Sequence, residues 1–275
     1  METLERLERY LGDIPGDVTE VRVRAGKRAQ FRCLSGERLG EPVDAKTLQS
    51  MLSTLADHSL YARDVELRQG YFTMADGCRV GVCGRMLYDG SCVNGIASVG
   101  SICVRVSREI RGAADDFYGA LFDGDERAVR SALIVSAPGL GKTTALRDAA
   151  RRLSEDGFNV CIADERRELA ACVDGVPTLD VGPRTDVMDG CPKHIAVARL
   201  LRACAPQVIV TDEIGGRRDA EALSEAARCG VSVLASAHAG SLEDLIARRD
   251  VDIGVFELAV LLAGAPGRVR EIRAL

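Results

Sequence analysis

Four short runs of uninterrupted apolar residues in the second half of the chain constrain its fold most strongly. They are ALIVSA, VCIAD, QVIVTD and VSVLASA, and a helical pattern precedes or follows each of them. Continuous apolar runs are typical of parallel strands that crossover helices bury on both faces. The second half is therefore predicted to be an α/β domain built on a parallel sheet.

The first half of the chain follows a different pattern, in which apolar and polar residues alternate. Val80 and Val82, for example, share one face of a predicted strand. Alternation with a period of two predicts strands with one buried and one exposed face, as in an antiparallel sheet. One helix interrupts these strands, and its apolar stripe consists of Leu48, Met51, Leu52 and Leu55. We place the boundary between two domains, 1–112 and 113–275.

Composition narrows the classes of function that fit the chain. The sequence has 275 residues, of which 47% are hydrophobic and 28% charged, as in ordinary globular proteins. Its formal net charge is −5, whereas nucleic-acid-binding domains usually carry a basic face and a high isoelectric point. We therefore expect no nucleic acid among its partners.

Three features of the sequence favour a cytoplasmic location. The N-terminal segment METLERLERYLGDIPGD is acidic and amphipathic, unlike a signal peptide. The apolar run VFELAVLLAGA is shorter than the roughly 20 residues that a membrane-spanning helix needs. Ten cysteines without a CxxC pair favour small buried thiols in a reducing compartment over a disulfide framework.

One segment nearly matches a phosphate-binding loop, which normally reads Gly, four residues, Gly-Lys-Ser/Thr. It follows an apolar strand and leads into a predicted helix, so that backbone N–H groups converge on phosphate oxygens. Ser136 replaces the opening glycine, a change that the backbone angles there must permit, and a chance match is the alternative. The candidate nucleotide-binding residues are Ser136, Ala137, Pro138, Gly139, Leu140, Gly141, Lys142, Thr143 and Thr144.

A second candidate element, which is acidic, lies about seventy residues after the loop. QVIVTDEIGG is an apolar strand that ends in Asp212 and Glu213. In ATPases that have a phosphate-binding loop, an Asp at such a strand end holds Mg²⁺ and the Glu after it polarises the attacking water. The alternative is an acidic pair that caps a helix or ends a solvated loop. Together with the loop, the pair predicts a working site for ATP and Mg²⁺.

Two more polar strand ends are expected at the same edge of the sheet, where ligands of open α/β sheets collect. The second strand ends in Asp164, Glu165 and Arg166, and the strand after Asp212 ends in Ser236 and His238. A neutral histidine there is suited to sensing the γ-phosphate, and a structural histidine at a strand end is the alternative. The segment around Arg184 and Asp186 is predicted to be a polar loop before a helix.

Seven segments of the chain together resemble one known family. In order they are SLYARDVELRQGYFT, DGCRVGVCGR, SAPGLGKTTALRD, ADERREL, DVGPRTDVMDGCPK, VIVTDEIGG and SAHAGSLEDL. They look like segments of stage III sporulation protein AA, a family of ATPases from endospore-forming bacteria. That family is similar to type II and type IV secretion and pilus retraction ATPases. The similarity runs from about residue 18 to about residue 262, and GPRTDVMDGCPK is quite specific.

The resemblance implies a fold and a set of site residues. The implied fold is a RecA-like P-loop ATPase domain preceded by a smaller α+β, PAS-like domain. Lys142 and Thr143 match the family's phosphate and Mg²⁺ contacts. Asp212 and Glu213 match its two Walker B acids, so that Thr143 and Asp212 are the candidate metal-binding residues.

The remaining motifs match the family with two departures. Glu165 falls in its acidic box and His238 in its histidine box, which makes both catalytic candidates beside the Walker B glutamate. Ser136 stands where the family usually has Gly, and Cys78 stands where it usually has His. The second departure suggests that position 78 is not catalytic.

The resemblance also implies partners and a setting. The implied assembly is a homo-oligomer, a hexameric ring, that works with membrane-embedded channel proteins of the same sporulation operon. The implied location is the mother-cell cytoplasm, where those partners would hold the protein at the membrane. Hydrolysis that energises or assembles a channel between mother cell and forespore is the first hypothesis. An ATP-binding scaffold with little turnover is the second, and an ATPase associated with nucleic acid is the third.

Phosphoryl transfer is commonly accelerated by an arginine that meets the developing charge, often from another subunit. The loop itself contains no arginine. Arg79 and Arg85 lie on a first-half strand, on the face opposite Val80 and Val82. We predict that one of these two arginines completes the catalytic site in an oligomer, with a solvated sheet face as the alternative.

Overall fold

The computed structural model describes residues 2–57, 67–68, 70–91, 93–106, 110–124, 128–248 and 252–275. The chain divides into two compact units, Met1–Arg108 and Glu109–Leu275. The exact domain limits of 1–112 and 113–275 stay a prediction. Within the first family-like segment, residues 59–66 and 69 lie outside the described residues.

Within its described residues, the first unit contains a six-stranded sheet and the helices named next. Its helices are α1 (Glu2–Leu11) and α2 (Ala45–Leu55). Its strands are β1 (Val18–Arg24), β2 (Lys27–Cys33), β3 (Gly36–Val43), β4 (Tyr71–Thr73), β5 (Arg79–Tyr88) and β6 (Val93–Arg105). The strand order is β3-β2-β1-β6-β5-β4, and every pairing is antiparallel. A PAS-like fold for this unit stays a prediction.

Burial in the first unit follows the alternation in the sequence. Val80 and Val82 are buried in the core, whereas Arg85 is exposed. The guanidinium of Arg79 lies over the ring of Tyr71, 3.6 Å from its centroid. Cys78 is fully buried in the same core, as a small apolar residue would be.

Aspartates fix the N-termini of α1 and α2. The Asp44 carboxylate caps α2 by accepting a hydrogen bond from the Thr47 N–H at 2.6 Å, and the predicted stripe of α2 is buried. Asp76 accepts bonds from both the backbone N–H and the hydroxyl of Thr3 in α1. Burial opposes ionisation of Asp76, but these bonds outweigh it and lower its pKa.

The second unit alternates strands and helices along the chain. The strands are β7 (Ala132–Ser136), β8 (Val160–Asp164), β9 (Thr185–Asp189), β10 (Val208–Glu213), β11 (Ser232–His238), β12 (Leu258–Leu262) and β13 (Val269–Ala274). The helices are α3 (Asp115–Tyr118), α4 (Lys142–Glu155), α5 (Lys193–Cys204), α6 (Arg217–Arg228) and α7 (Leu242–Arg248). Two 3-10 turns occupy Gly119–Leu121 and Ile253–Val255.

The predicted parallel sheet is confirmed, with the strand order β13-β12-β7-β11-β10-β8-β9. Neighbouring strands run parallel except β13, which pairs antiparallel with β12. Its central strands are buried on both faces, because Ile134 of β7 belongs to one apolar cluster and Leu133 and Val135 to another. The carboxyl ends of β7, β11, β10 and β8 therefore lie side by side at one edge.

The predicted polar loop around Asp186 is wrong in part. Thr185–Asp189 forms β9, the edge strand that pairs in parallel with β8. An edge strand is half solvated, so its sequence lacks the continuous apolar run that marks the central strands.

None of the helices in the described part of the chain is long and apolar enough to cross a membrane. The nine cysteines within the described residues are all free thiols, and four of them are buried: Cys33, Cys78, Cys161 and Cys172.

Candidate active site

The loop between β7 and α4 has the backbone of a tight, glycine-dependent turn. Gly139 and Gly141 have φ angles of 79° and 88°, in the left-handed region that disfavours a side chain. A Cβ on Gly141 would also lie 3.0 Å from the backbone nitrogen of Gly267. Ser136 is not among the left-handed residues, so its backbone accommodates a Cβ where the usual motif has glycine.

The ammonium of Lys142 is enclosed by the loop that precedes it. It donates hydrogen bonds to the Ser136 carbonyl at 3.0 Å, the Ser136 hydroxyl at 3.2 Å and the Ala137 carbonyl at 3.2 Å. The Ser136 hydroxyl thus gives this lysine a contact that glycine would not provide. Burial lowers the pKa of Lys142, and the charge of Glu213 partly offsets that effect.

His238, at the end of β11, connects the loop lysine to the acidic strand end. Its Nδ1 lies 2.7 Å from Lys142 Nζ, and its Nε2 lies 3.5 Å from Glu213 Oε2. An ammonium only donates hydrogen bonds, so toward a charged Lys142 the Nδ1 atom is the acceptor and the ring hydrogen lies on Nε2, facing the Glu213 carboxylate. Nδ1 also lies 3.4 Å from the Ser136 carbonyl oxygen, which is longer than a usual hydrogen bond, so this contact does not reassign the tautomer.

Glu213 also meets a cation from a neighbouring strand end. Arg166, which follows β8, donates from Nη1 to Glu213 Oε2 at 3.1 Å. The Arg166 side chain is 59% exposed and that of Glu213 is 31% exposed, so solvent screens this pair. One carboxylate oxygen thus lies between an imidazole and a guanidinium.

Asp212 is buried against a lysine from the start of α5. Lys193 Nζ donates to Asp212 Oδ1 at 2.7 Å and to the Glu213 carbonyl oxygen. Lys193 is 4% exposed and Asp212 is 2% exposed. The second oxygen of Asp212, Oδ2, is buried without a hydrogen-bond partner among the described residues.

Burial disfavours the charged form of two carboxyl groups near this edge, Asp212 and Asp164. Burial raises the pKa of Asp212, the charge of Lys193 opposes it, and nearby Asp164 adds to it. Asp164 is fully buried and accepts bonds from the N–H groups of Glu168, Leu169 and Ala170. Burial raises the pKa of Asp164 as well, against the effect of those bonds. Asp164 therefore holds the turn after β8 in place.

The unpartnered oxygen of Asp212 bears on whether Mg²⁺ fits these residues. An unpartnered buried oxygen costs free energy, and a hard cation with its bound waters is a partner that would satisfy it. Asp212 Oδ2 is such an oxygen, and Oδ1 is already held by Lys193. Thr143 lies half-buried in the first turn of α4, and the residues fit the cation.

Three catalytic candidates remain, namely Glu165, Arg79 and Arg85. Glu165 is exposed, and its carboxylate accepts a hydrogen bond from the backbone N–H of Lys193 at 3.3 Å. It supports the start of α5 in this structure. Arg79 and Arg85 belong to the other compact unit, and their catalytic role stays a prediction.

Lys193 was not among the sequence-based candidates, whereas Arg166 was expected at this edge but without a role. The sequence does contain a signal for Lys193, because lysine is rare in this chain and occurs only at positions 27, 46, 142 and 193. Lys193 also opens a helix whose first turn contains no acidic residue, where the helix dipole disfavours a cation. Its position therefore indicates a nearby carboxylate that compensates this cost.

The fold of the chain is similar to that of secretion and pilus ATPases of known structure. The structure resembles the ATPase DotB of Legionella pneumophila, with a TM-score of 0.62 and 14% identity, over 94% of this chain and 74% of DotB. It also resembles the pilus retraction motor PilT with bound ADP, with a TM-score of 0.60 and 15% identity, over 94% of this chain and 76% of that one. At such identities the likeness establishes the fold.

Sequence relatives define the family. The family model described as "Sporulation stage III, protein AA" matches residues 12–274. The "Stage III sporulation protein AA" of Bacillus subtilis (strain 168) is 35% identical over 259 residues, which cover 89% of this chain and 82% of that relative. The chain belongs to the stage III sporulation protein AA family, as its motifs predict.

Proposed function

We propose that this chain is a Mg²⁺-dependent ATPase that energises or assembles a channel between mother cell and forespore during sporulation. One observation carries the proposal. Lys142, His238 and Glu213 form a continuous chain of contacts between the glycine-dependent loop and the acidic strand end. Nucleotide hydrolysis requires a phosphate-binding cation and a water-activating carboxylate at one site, and this chain of contacts brings them together.

Nucleotide binding falls to the loop and the first turn of α4. The first N–H groups of a helix have no partner within it, and they favour phosphate together with the helix dipole. Gly141 precedes this helix without a side-chain cap, so those donors stay available. Lys142 would exchange its loop contacts, including the one to the Ser136 hydroxyl, for the β- and γ-phosphates.

Asp212 and Thr143 would hold the metal ion. When bound, Mg²⁺ neutralises phosphate charge and helps to align the phosphates. Lys193 is a positioning residue, since it holds Oδ1 of Asp212 and leaves Oδ2 for the metal or its water. It also binds the backbone of the next residue, so it fixes both acids of β10.

Glu213 is the proposed general base. Its carboxylate accepts the proton of the attacking water, and the Nε2–H of His238 fixes its orientation. His238 contacts Lys142 through its other nitrogen, so a move of Lys142 onto phosphate removes that contact. His238 therefore couples γ-phosphate binding to the orientation of the base. Glu165 would contribute indirectly, because its carboxylate accepts a hydrogen bond from the Lys193 N–H and so supports the start of α5.

The charge that develops during transfer needs a further cation. Arg166 is a candidate within the same chain, because it already lies beside Glu213. Arg79 or Arg85 from a neighbouring subunit is the other candidate. We further propose a homo-oligomer, a hexameric ring, that acts with membrane-embedded channel proteins on the mother-cell side of the membrane, as the resemblance to the family implies.

Equilibrium binding of ATP in the presence of Mg²⁺ tests the proposal. We expect stoichiometric binding by the full chain, and loss of binding in Lys142→Ala but not in Lys46→Ala, which changes an exposed lysine. An ATP-binding scaffold would give the same binding without phosphate release. Equal ATP affinity of wild type and Lys142→Ala would refute the assignment of the site.

A further inference from the structure

A cluster of three metal-ligating side chains lies in the second unit, apart from the residues assigned to ATP. Cys161, Asp186 and Cys204 come from three different elements, and their sulfur and carboxylate oxygen atoms all lie within 4.8 Å of one another. Cys161 lies three residues before the carboxyl end of β8, which corresponds to about 10 Å along a strand. The cluster is therefore separate from the acids at the strand ends.

The fold itself brings these three residues together. Cys161 and Asp186 are direct partners in the parallel pairing of β8 and β9, so both side chains point to the same face of the sheet. Cys161 is buried in the apolar cluster between that face and α5, and Cys204 packs against the same cluster. Cys204 ends α5, and the next residue, Ala205, takes a left-handed φ of 46°.

The geometry points to a binding site for a divalent cation of the zinc class. Zinc–sulfur bonds of about 2.3 Å in a tetrahedral arrangement place two thiolates about 3.8 Å apart, within the spacing of this cluster. Two thiolates and one carboxylate suit zinc, cobalt or cadmium. Mg²⁺ prefers six oxygen ligands and is excluded by the same chemistry. The site would thus take a different cation from the one at Asp212.

Exposure of the three residues sets how such a cation would be held. Cys161 is 1% exposed, whereas Cys204 is partly exposed and Asp186 is exposed. The buried thiol lies on the inner side, and the other two ligands leave a path from solvent for the ion and for a fourth ligand such as water. Within the described residues Asp186 forms no ion pair, so its charge is available to the cation.

The cation has to displace protons. Burial, together with Cys204 and Asp186, raises the pKa of the Cys161 thiol to about 12. A coordinating metal ion deprotonates such a thiol outright, so binding releases protons to solvent. The bound ion would join the C-terminus of α5 to two strands. Because α5 begins at Lys193, the cation would fix the far end of the helix that supplies Asp212 with its counter-charge.

Cobalt titration of the full-length chain under reducing conditions tests this site. We expect a thiolate-to-cobalt charge-transfer band that saturates at one equivalent per chain, disappears on addition of Zn²⁺ and persists in excess Mg²⁺. Cys161→Ala and Cys204→Ala should each abolish the band, and Asp186→Asn should weaken binding. Cys229→Ser, which changes an exposed cysteine at the end of α6, should leave the band unchanged.

A second measurement on the wild type avoids any folding defect of the variants. Zn²⁺ should slow alkylation of Cys204 at least about tenfold, as measured by peptide mass spectrometry, and should not affect Cys229. The absence of a cobalt band, or a band retained in both cysteine-to-alanine variants, would overturn the proposal. Equal alkylation of Cys204 with and without Zn²⁺ would do the same, as would a disulfide between Cys161 and Cys204 in the reduced preparation.

Discussion

Lys193 Nζ lies 2.7 Å from Asp212 Oδ1, and both side chains are buried at the carboxyl edge of the parallel sheet. Removing one partner of a buried ion pair leaves an uncompensated charge, which typically costs about 3–5 kcal/mol. We predict a loss of this size in the free energy of unfolding of Lys193→Met, measured by urea denaturation. Adding Asp212→Asn should recover most of it, because the orphaned charge is then absent.

The matched control for this pair is Lys46→Met, which changes an exposed lysine of α2 and should leave the unfolding midpoint unchanged. A loss below about 1 kcal/mol in Lys193→Met would place this contact among ordinary surface pairs. It would contradict the positioning role of Lys193.

Lys142→Ala should lower ATP affinity at least about 100-fold, because a buried ammonium gives charge-assisted hydrogen bonds that backbone N–H groups do not replace. Titration calorimetry with Mg²⁺ and ATP provides the measurement. An affinity within about twofold of wild type would remove this loop from the nucleotide site.

ATP affinity should also fall in alkaline solution. Burial lowers the pKa of Lys142 below the ordinary lysine value of 10.5, so the ammonium loses its proton at a lower pH than an exposed lysine does. Affinity is therefore full where Lys142 is charged, and it declines as the pH rises through that lowered pKa. Lys142→Arg is the control, since arginine keeps its charge over this range and its residual affinity should not decline.

The source of the catalytic arginine can be decided by mixing variants. If Arg79 or Arg85 acts across a subunit boundary, its alanine variant mixed with Lys142→Ala chains should regain hydrolysis, because each chain supplies what the other lacks. If Arg166 acts within its own chain, Arg166→Ala mixed with Lys142→Ala should stay inactive. Phosphate release at several mixing ratios gives the answer. Recovery with Arg166→Ala, but with neither Arg79→Ala nor Arg85→Ala, would contradict both assignments, because Arg166 would then act across the subunit boundary.

The sequence predicts the parts of this fold that depend on local patterns. Continuous apolar runs indicate the central parallel strands, and Gly139 and Gly141 stand where the backbone takes left-handed angles. The edge strand β9 is missed because Thr185–Asp189 is half solvated and lacks such a run.

Contacts that arise from tertiary folding are harder to predict. Lys193 is 19 residues from Asp212 and Arg166 is 47 from Glu213, so each pairing depends on how a loop or helix start packs against β10. Asp164 resembles a catalytic strand-end acid in the sequence, but its oxygens accept backbone N–H bonds within a buried turn.

Phosphate release by the full chain with Mg²⁺ and ATP, compared between wild type and Glu213→Gln, tests the central claim most directly. An amide neither accepts the proton of water nor polarises it as a carboxylate does. The account predicts measurable turnover in wild type, and at least about 100-fold slower turnover with unchanged ATP binding in the variant. Equal turnover in the two proteins, or none in a wild type that binds ATP, would contradict it.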